Sequence, residues 1–271
     1  MKSLSIYQIY YDDATRAGLD PLFIPLDNAN NERPDWREYW PIRRFLLNNP
    51  LDENTYYGFF SPKFQAKTGL SGRTVVDFIE ENEAEVYFFS PFVEQQAFFI
   101  NIFEHGDANH AGLMDAMQQF VSSVGIAVDL RSLVCDFNNS IFSNYFVAKA
   151  KFWRKWLELG EHLFALSEAA DNPLATRLNA PTDYHAQVGE VGLKVFMMER
   201  LATLMLICYQ FSAKAYDPFA ITRSGIPASR LDHEMRIANA LKMAFLSTRD
   251  GRYIESFARF RNSVLAGLRL P

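Results

Sequence analysis

The sequence predicts an α/β protein with a mixed sheet flanked by helices and a helical C-terminal part. Short segments rich in isoleucine, tyrosine and phenylalanine alternate with amphipathic segments over about the first 125 residues, as in a sheet with crossover helices. Turn formers or proline end these short segments. Further along the chain, apolar residues recur at helical spacing instead.

The predicted strands are bounded by the residues that stop them. The first ends at Asp12 and Asp13, the second at the turn-prone residues 27–31, and the next two at Pro62 and Pro91. Because both of these end in Phe-Phe-Ser-Pro, we expect them to be parallel neighbours that open onto one face. The predicted strands cover residues 3–11, 22–26, 56–60, 85–90 and 144–149.

Capping residues and apolar spacing give the helices. Pro34 suits the first turn of a helix, and Ser71 can cap another. We expect a connector at 104–110 and a loop at 171–182. The other predicted helices cover residues 94–104, 111–123, 151–169, 192–210, 229–247 and 253–268, after one at 34–48. These elements predict one domain over 1–210, with 211–271 as a helical extension packed on it.

Composition excludes several classes of protein. A hydrophobic fraction of 49% with a net charge of −5 excludes a mainly disordered chain, and two cysteines cannot build a disulfide framework. A pI near 5.6 argues against a nucleic-acid partner. The start lacks a signal-peptide pattern, and the longest apolar run, 201–209, is about half a membrane span. We therefore expect a cytoplasmic protein without a transmembrane segment, peripheral at the inner membrane at most.

Common catalytic signatures are missing from the sequence. It has no dinucleotide-binding Gly-x-Gly-x-x-Gly, no phosphate loop, no Gly-x-Ser-x-Gly elbow and no His-Glu-x-x-His. Common hydrolases, kinases and Rossmann dehydrogenases are therefore disfavoured.

The most polar stretch, 27–38, follows a strand and enters a helix, where open α/β sheets place ligand groups. Arg33 and Arg37 could hold phosphate oxygens in bidentate fashion. A capped helix with surface ion pairs explains the same residues. Lys63 follows the third strand and can neutralise a phosphate, and Ser90 is the reachable polar atom after the fourth.

Two further clusters carry titratable side chains. His105 and His110 lie among metal-type residues, although a substrate contact or a structural role explains them better. Glu199 and Arg200 lie within an apolar helix, where they form either a buried ion pair or a base and a ligand-binding arginine. Asn144 could bind a sugar hydroxyl.

The order of these elements resembles a bacterial group of glycosyltransferases with the GT-A fold, found among capsule and O-antigen biosynthesis proteins. The resemblance covers about residues 4–210. It rests on the opening strand, the polar stretch from Asn31 to Trp40, Tyr57-Gly58 followed by Lys63, and the strands at 85–89 and 144–149. The Phe/Trp helix that follows and Phe-x-x-Glu-Arg-Leu at 196–201 complete it.

The resemblance implies a GT-A-like, Rossmann-like sheet and transfer of a sugar from a nucleotide-sugar to an acceptor hydroxyl. It also implies that the acceptor is a glycan or a lipid-linked molecule. The nucleobase and the ribose of the donor are expected near Tyr10, Tyr11 and Asp12. The charge of the diphosphate could be compensated by Arg33, Arg37 and Lys63. The candidates for the general base, which accepts the proton of the acceptor hydroxyl, are Glu199, His105 and His110. Asn31, Ser90, Asn144 and Arg200 complete the predicted binding set.

Metal dependence stays open, because no Asp-x-Asp follows the strand that ends at Ser90. No cofactor is certain, and a divalent cation, Mg or Mn, could serve beside the diphosphate. Two alternatives also stay open: a non-catalytic GT-A-like module that binds a glycan or protein, and a nucleotide-binding hydrolase outside the known motifs. The C-terminal helices could serve a homodimer. The transferase reading depends on convergence of Tyr11, Arg33, Lys63 and Ser90 on one pocket rim.

Overall fold

The computed structural model describes residues 1–170, 172–182, 191–221 and 231–268, and within them one mixed six-stranded sheet organises the chain. The strands of this sheet are β1 (Ser3–Tyr10), β2 (Ile24–Asp27), β3 (Thr55–Phe60), β4 (Val86–Phe88), β5 (Phe146–Lys149) and β8 (Ala213–Ala215). A separate antiparallel pair consists of β6 (Pro181–Thr182) and β7 (Val191–Gly192).

The sheet order is β2-β1-β3-β5-β4-β8, and β5 runs against both of its neighbours. The other strands are parallel to one another, so their carboxyl ends reach the same edge of the sheet. β5 runs the opposite way and therefore begins at that edge. This edge is where open α/β sheets bind ligands.

Helices cover both faces of the sheet. They are α1 (Asp13–Ala17), α2 (Tyr39–Asn48), α3 (Phe64–Thr68), α4 (Gly72–Glu81), α5 (Val93–Phe98), α6 (Ile102–Asn109), α7 (Leu113–Ser123), α8 (Ala150–Glu168), α9 (Pro173–Asn179), α10 (Leu193–Met198), α11 (Leu201–Cys208), α12 (Asp232–Thr248) and α13 (Gly251–Leu268), with a 3₁₀ turn at Pro34–Trp36.

Strand β3 shows how the two cores form. All of its residues are buried, and they alternate between faces as a pleated strand requires. Tyr57 and Phe59 enter the core that holds Trp153, whereas Tyr56 and Phe60 enter the opposite core. Both faces of the sheet are therefore dry at β3, and polar side chains follow this strand at its end.

The predicted strands are confirmed with shifts of a few residues, but their expected pairing is wrong in one respect. β3 and β4 are parallel and open onto the same edge, yet β5 lies between them. The short strand β8 was not predicted. It pairs with β4, so the part of the chain after residue 210 also contributes to the sheet.

Several helix predictions are corrected by local capping. The helix expected at 94–104 is two helices, because Asn101 accepts the N–H groups of Phe103 and Glu104 and starts α6. Residues 105–109 are thus helical rather than a connector. Asn172 likewise starts α9 inside the predicted loop, whose residue 171 lies outside the described part. The long helix at 192–210 breaks at Glu199 and Arg200.

The C-terminal helices α12 and α13 pack on α5 through a third apolar cluster. The buried Lys242 of α12 donates hydrogen bonds to the carbonyl oxygens of Gln96 (2.5 Å) and Phe99 (3.0 Å) at the end of α5. These two carbonyls are among those that a helix end leaves without an internal partner. Among the described helices, none has the length and apolar character needed to cross a membrane.

Substitution of Gly58 in β3 should destabilise the protein. A Cβ there would lie 2.8 Å from Cγ2 of Val147 on the neighbouring strand. Gly58→Ala should therefore lower the free energy of unfolding by about 1–3 kcal/mol, as overpacking of a core does. Urea unfolding measures this loss. Gly251→Ala is the control, because a Cβ there meets nothing within 4 Å. Equal stability of the two variants would contradict this packing.

Candidate functional site

A cleft of about 330 Å³ opens at the carboxyl ends of β1, β2 and β3. One wall is the segment 28–38 and the other is α10 with the turn after it, while α3 forms the floor beyond β3. The lining residues are Ile9, Tyr11, Asn28, Asn31, Pro34, Arg37, Glu38, Ser61, Pro62, Lys63, Lys67, Val191, Val195, Phe196 and Glu199.

Asn28 supplies a buried polar group where β2 ends. Its backbone N–H donates to the carbonyl of Tyr10 (2.8 Å) and extends the pairing of β1 with β2. The residue is only 6% exposed, and its carboxamide oxygen accepts no hydrogen bond in the described structure. A buried acceptor without a donor is costly, so a ligand N–H or O–H would be favoured here.

Two lysines face the cleft from α3, which is anchored by stacking of Phe64 on Phe60 (4.1 Å between ring centroids). The side chain of the exposed Lys63 makes no hydrogen bond to the described residues. The half-buried Lys67, one turn later, donates to Ser143 Oγ at 3.3 Å. Neither has a carboxylate within ion-pair distance in the described structure, so both cations can meet an anionic ligand.

Segment 28–38 is fixed by the burial of Trp36, which has no exposed surface. Arg37 follows with φ +49° and ψ −133°, and its side chain lines the cleft. Non-glycine residues avoid this left-handed region unless the surrounding structure holds them there. The segment thus presents Arg37 to the cleft from a strained backbone.

Arg33 lies outside this lining. Its guanidinium donates two hydrogen bonds to Asp35 (both 2.9 Å) and one to Glu168 (2.7 Å). Burial raises the pKa of Asp35, but hydrogen bonds from Arg33 and Lys194 outweigh it and lower that pKa to about 2. Arg33 is therefore already neutralised by carboxylates, which corrects the expectation that it reaches the pocket rim.

Glu199 lies in the turn between α10 and α11, where the chain leaves helical geometry and the carboxylate can reach the cleft. Its side chain accepts no hydrogen bond from the described residues. Burial raises its pKa; the nearby Arg200 and Lys67 oppose this rise, and Glu38 adds to it. A carboxylate that has a raised pKa and accepts no hydrogen bond from the described residues is suited to act as a general base.

The two histidines lie behind the wall. Burial, followed by the charge of Arg200, lowers the pKa of His105 to about 3 and that of His110 to about 4. His110 stacks on Phe196 with 3.6 Å between ring centroids. Both imidazoles are thus neutral near pH 7, and the cleft lining contains neither.

Arg200 points away from the cleft into the packing of α6. It donates to the carbonyls of Ile102 (3.0 Å) and Phe196 (2.5 Å). A side chain on Gly106 would collide with it, since a Cβ there would lie 2.5 Å from Arg200 Nε. Arg200 is therefore not part of the cleft lining, although it holds the backbone of the lining residue Phe196 and its charge acts on Glu199.

Ser90 was expected to be reachable, and this is wrong. It is 4% exposed, donates to Ser140 O (2.7 Å) and accepts from the N–H of Phe142 (2.9 Å). Asn144 is also buried, with φ +54° and a carboxamide oxygen that has no partner in the described structure, but it is not part of the cleft lining.

Tyr10 and Asp12 also stay outside the cleft. A hydrogen bond with Asp27 raises the pKa of Tyr10, and Arg16 lies over its ring at 5.4 Å. Asp12 caps α1 by accepting the N–H of Thr15 (2.7 Å). The structure therefore brings five predicted residues together: Tyr11, Asn31, Arg37, Lys63 and Glu199.

Three charged or polar residues of the lining were not among the predicted site residues: Asn28, Glu38 and Lys67. Asn28 follows the β2 strand directly, and Lys67 lies four residues after Lys63, so both could have been found from strand ends and helical spacing.

The described residues do not form a site for Mg or Mn made of three or more protein ligands. Two carboxylates, Glu38 and Glu199, line the cleft. No group of three or more His, Cys, Asp or Glu side chains that could hold a metal ion occurs among the described residues.

Comparisons with protein-family models, with curated proteins and with solved structures found no significant match to this chain.

Proposed function

We propose that the protein is a glycosyltransferase that moves a sugar from a nucleotide-sugar donor to an acceptor hydroxyl, in the synthesis of a bacterial surface polysaccharide or glycoconjugate. The observation that supports the proposal is that one cleft contains both a carboxylate that could act as a base and cations that could bind a phosphate. Glu199 offers a desolvated carboxylate, and Lys63 and Lys67 offer cations without carboxylate partners in the described structure. A GT-A-like fold is part of the same proposal.

The donor fits along the strand ends. Its diphosphate lies against Lys63, Lys67 and Arg37, because cations in a partly dry cleft bind phosphate oxygens strongly. The exposed ring of Tyr11 can stack on the nucleobase or the sugar. The carboxamide oxygen of Asn28, which has no hydrogen-bond partner in the described structure, accepts a hydrogen bond from an N–H or O–H group of the nucleotide-sugar. The position agrees with the general rule for ligands of open α/β sheets.

The chemistry follows from these placements. Glu199 accepts the proton of the acceptor hydroxyl, and the oxygen lone pair attacks the anomeric carbon of the donor sugar. The bond from that carbon to the diphosphate oxygen breaks, and its electron pair leaves with the diphosphate. Lys63, Lys67 and Arg37 stabilise the charge that develops on this leaving group.

Removal of the cleft lysines should weaken nucleotide binding. UDP-, GDP- and CMP-sugars are titrated by calorimetry, and one of them should release heat with the natural sequence. Lys63→Met and Lys67→Met should each raise its Kd about tenfold, the loss expected for one charged hydrogen bond. Added salt should weaken the binding as well.

Lys214→Met is the matched control, because Lys214 is an exposed lysine on the edge strand β8, away from the cleft. It should leave the Kd unchanged. Absence of heat with all three donor classes, or equal losses for the control, would contradict the proposal.

Glu199→Gln should separate binding from catalysis. It should leave the Kd of the donor close to the natural value and lower the transfer rate about 10²- to 10⁴-fold, the range for a lost general base. The rate of the unsubstituted protein should fall as the pH drops through the raised pKa of Glu199, because only the ionised form accepts a proton. Donor binding without any transfer in the unsubstituted protein would favour the non-catalytic module instead.

The same variant makes a prediction about stability. The pKa of Glu199 is higher in the folded than in the unfolded state, so its ionisation disfavours folding above that pKa. Glu199→Gln should therefore raise the Tm at pH 7, and the gain should vanish below about pH 4, where the unfolded carboxyl is also protonated. Thermal melts at both pH values measure it, and a lower Tm at pH 7 would contradict the assignment.

A further inference from the structure

Lys194 is a buried lysine that joins the two walls of the cleft. It is 3% exposed and lies on α10, next to the cleft residues Val195 and Phe196. Its ammonium donates to Asp35 Oδ2 (2.6 Å) on the opposite wall and to Asn179 Oδ1 (2.7 Å). The contact therefore spans from the helix that precedes Glu199 to the segment that presents Arg37.

Asp35, which accepts the hydrogen bond from Lys194, is also held by other residues. Asp35 accepts two hydrogen bonds from Arg33, and Arg33 continues to Glu168 on α8. The indole N–H of Trp36 donates to the same carboxylate of Glu168 (3.2 Å), and Lys194 lies 4.5 Å from the centre of the Trp36 ring. Asp35 and Trp36, the two residues before Arg37, are thus both fixed to Lys194.

The backbone at Arg37 needs such support. Its φ of +49° lies in the left-handed region, and its N–H reaches the carbonyl of Pro34 at 3.3 Å. A strained residue of this kind persists only where its neighbours determine its geometry. The ion pair and the buried ring hold it on one side, and α2 begins two residues later.

We propose that Lys194 is a positioning residue, which holds Arg37 toward the anionic part of the ligand by fixing Asp35 and Trp36. This inference rests on the proposed function for the nature of the ligand. Lys194 itself is not in the cleft lining, so its effect on the ligand passes through Arg37 rather than through direct contact.

A double-mutant cycle with inorganic pyrophosphate tests the coupling, because this probe carries only the anionic group. Lys194→Met and Arg37→Gln should each raise the Kd of pyrophosphate about tenfold, as loss of one charged hydrogen bond does. The double variant should be no weaker than Arg37→Gln alone, since residues that act as one unit are not additive. Additive losses would overturn the inference.

Hydrogen exchange gives a second readout that needs no ligand. In Lys194→Met, the amides of Trp36 and Arg37 should exchange at least about tenfold faster, whereas those of α4 should stay unchanged. Unchanged exchange at both amides would overturn the inference. Should Lys194→Met fail to fold, Asp35→Asn removes the opposite charge from the exposed side and is measured in the same way.

Lys155→Met is the matched control. Lys155 also donates to a carboxylate at 2.7 Å, that of Glu158, and lies 5.0 Å from an aromatic ring, that of Tyr209, but away from the cleft. It should alter neither the pyrophosphate Kd nor exchange at Trp36 and Arg37, and an equal effect would overturn the inference. Failure of the unsubstituted protein to bind pyrophosphate and every nucleotide-sugar would instead refute the proposed function, and exchange alone would then decide whether Lys194 positions Arg37.

Discussion

The dry packing on both faces of the sheet constrains everything else in the molecule. β3 is buried along its whole length, and its side chains enter two separate aromatic cores. A buried strand cannot carry a charged group along its faces without a large desolvation cost. The polar residues Ser61 and Lys63 therefore follow the end of β3, and they meet Asn28, which follows β2, at the same edge of the sheet.

Composition and local turns are enough to predict most of the strands. Short runs of isoleucine, tyrosine and phenylalanine favour the extended conformation, and the turn formers on either side mark where each strand ends. Helix ends were less predictable. Asn101 and Asn172 each cap a helix with their own side chains, inside segments where the apolar spacing alone indicated a longer helix or a loop. The sequence contains both signals, but their weight depends on the packing around them.

The candidate site divides along the same line. The cleft lining includes Tyr11, Lys63 and Glu199. Tyr11 and Lys63 were predicted because they follow strand ends, and Glu199 because it is a charged residue in an apolar segment. Arg33 and Ser90 do not line the cleft. Arg33 pairs with Asp35, two residues away, and also with Glu168, 135 residues away, while Ser90 bonds to Ser140 and Phe142. Sequence spacing shows which residue types are present, but not which charges already neutralise one another.

Burial together with the charge of Arg200 explains why a carboxylate rather than an imidazole is the base candidate here. The guanidinium of Arg200 is held by backbone carbonyls, so its charge stays inside the wall and disfavours a second cation beside it. Burial and, after it, this charge lower the pKa of His105 and of His110, and the same charge favours the ionised form of Glu199, opposing the effect of burial there. One buried arginine thus adds to the effect of burial on the two histidines and limits the rise that burial causes in the pKa of Glu199.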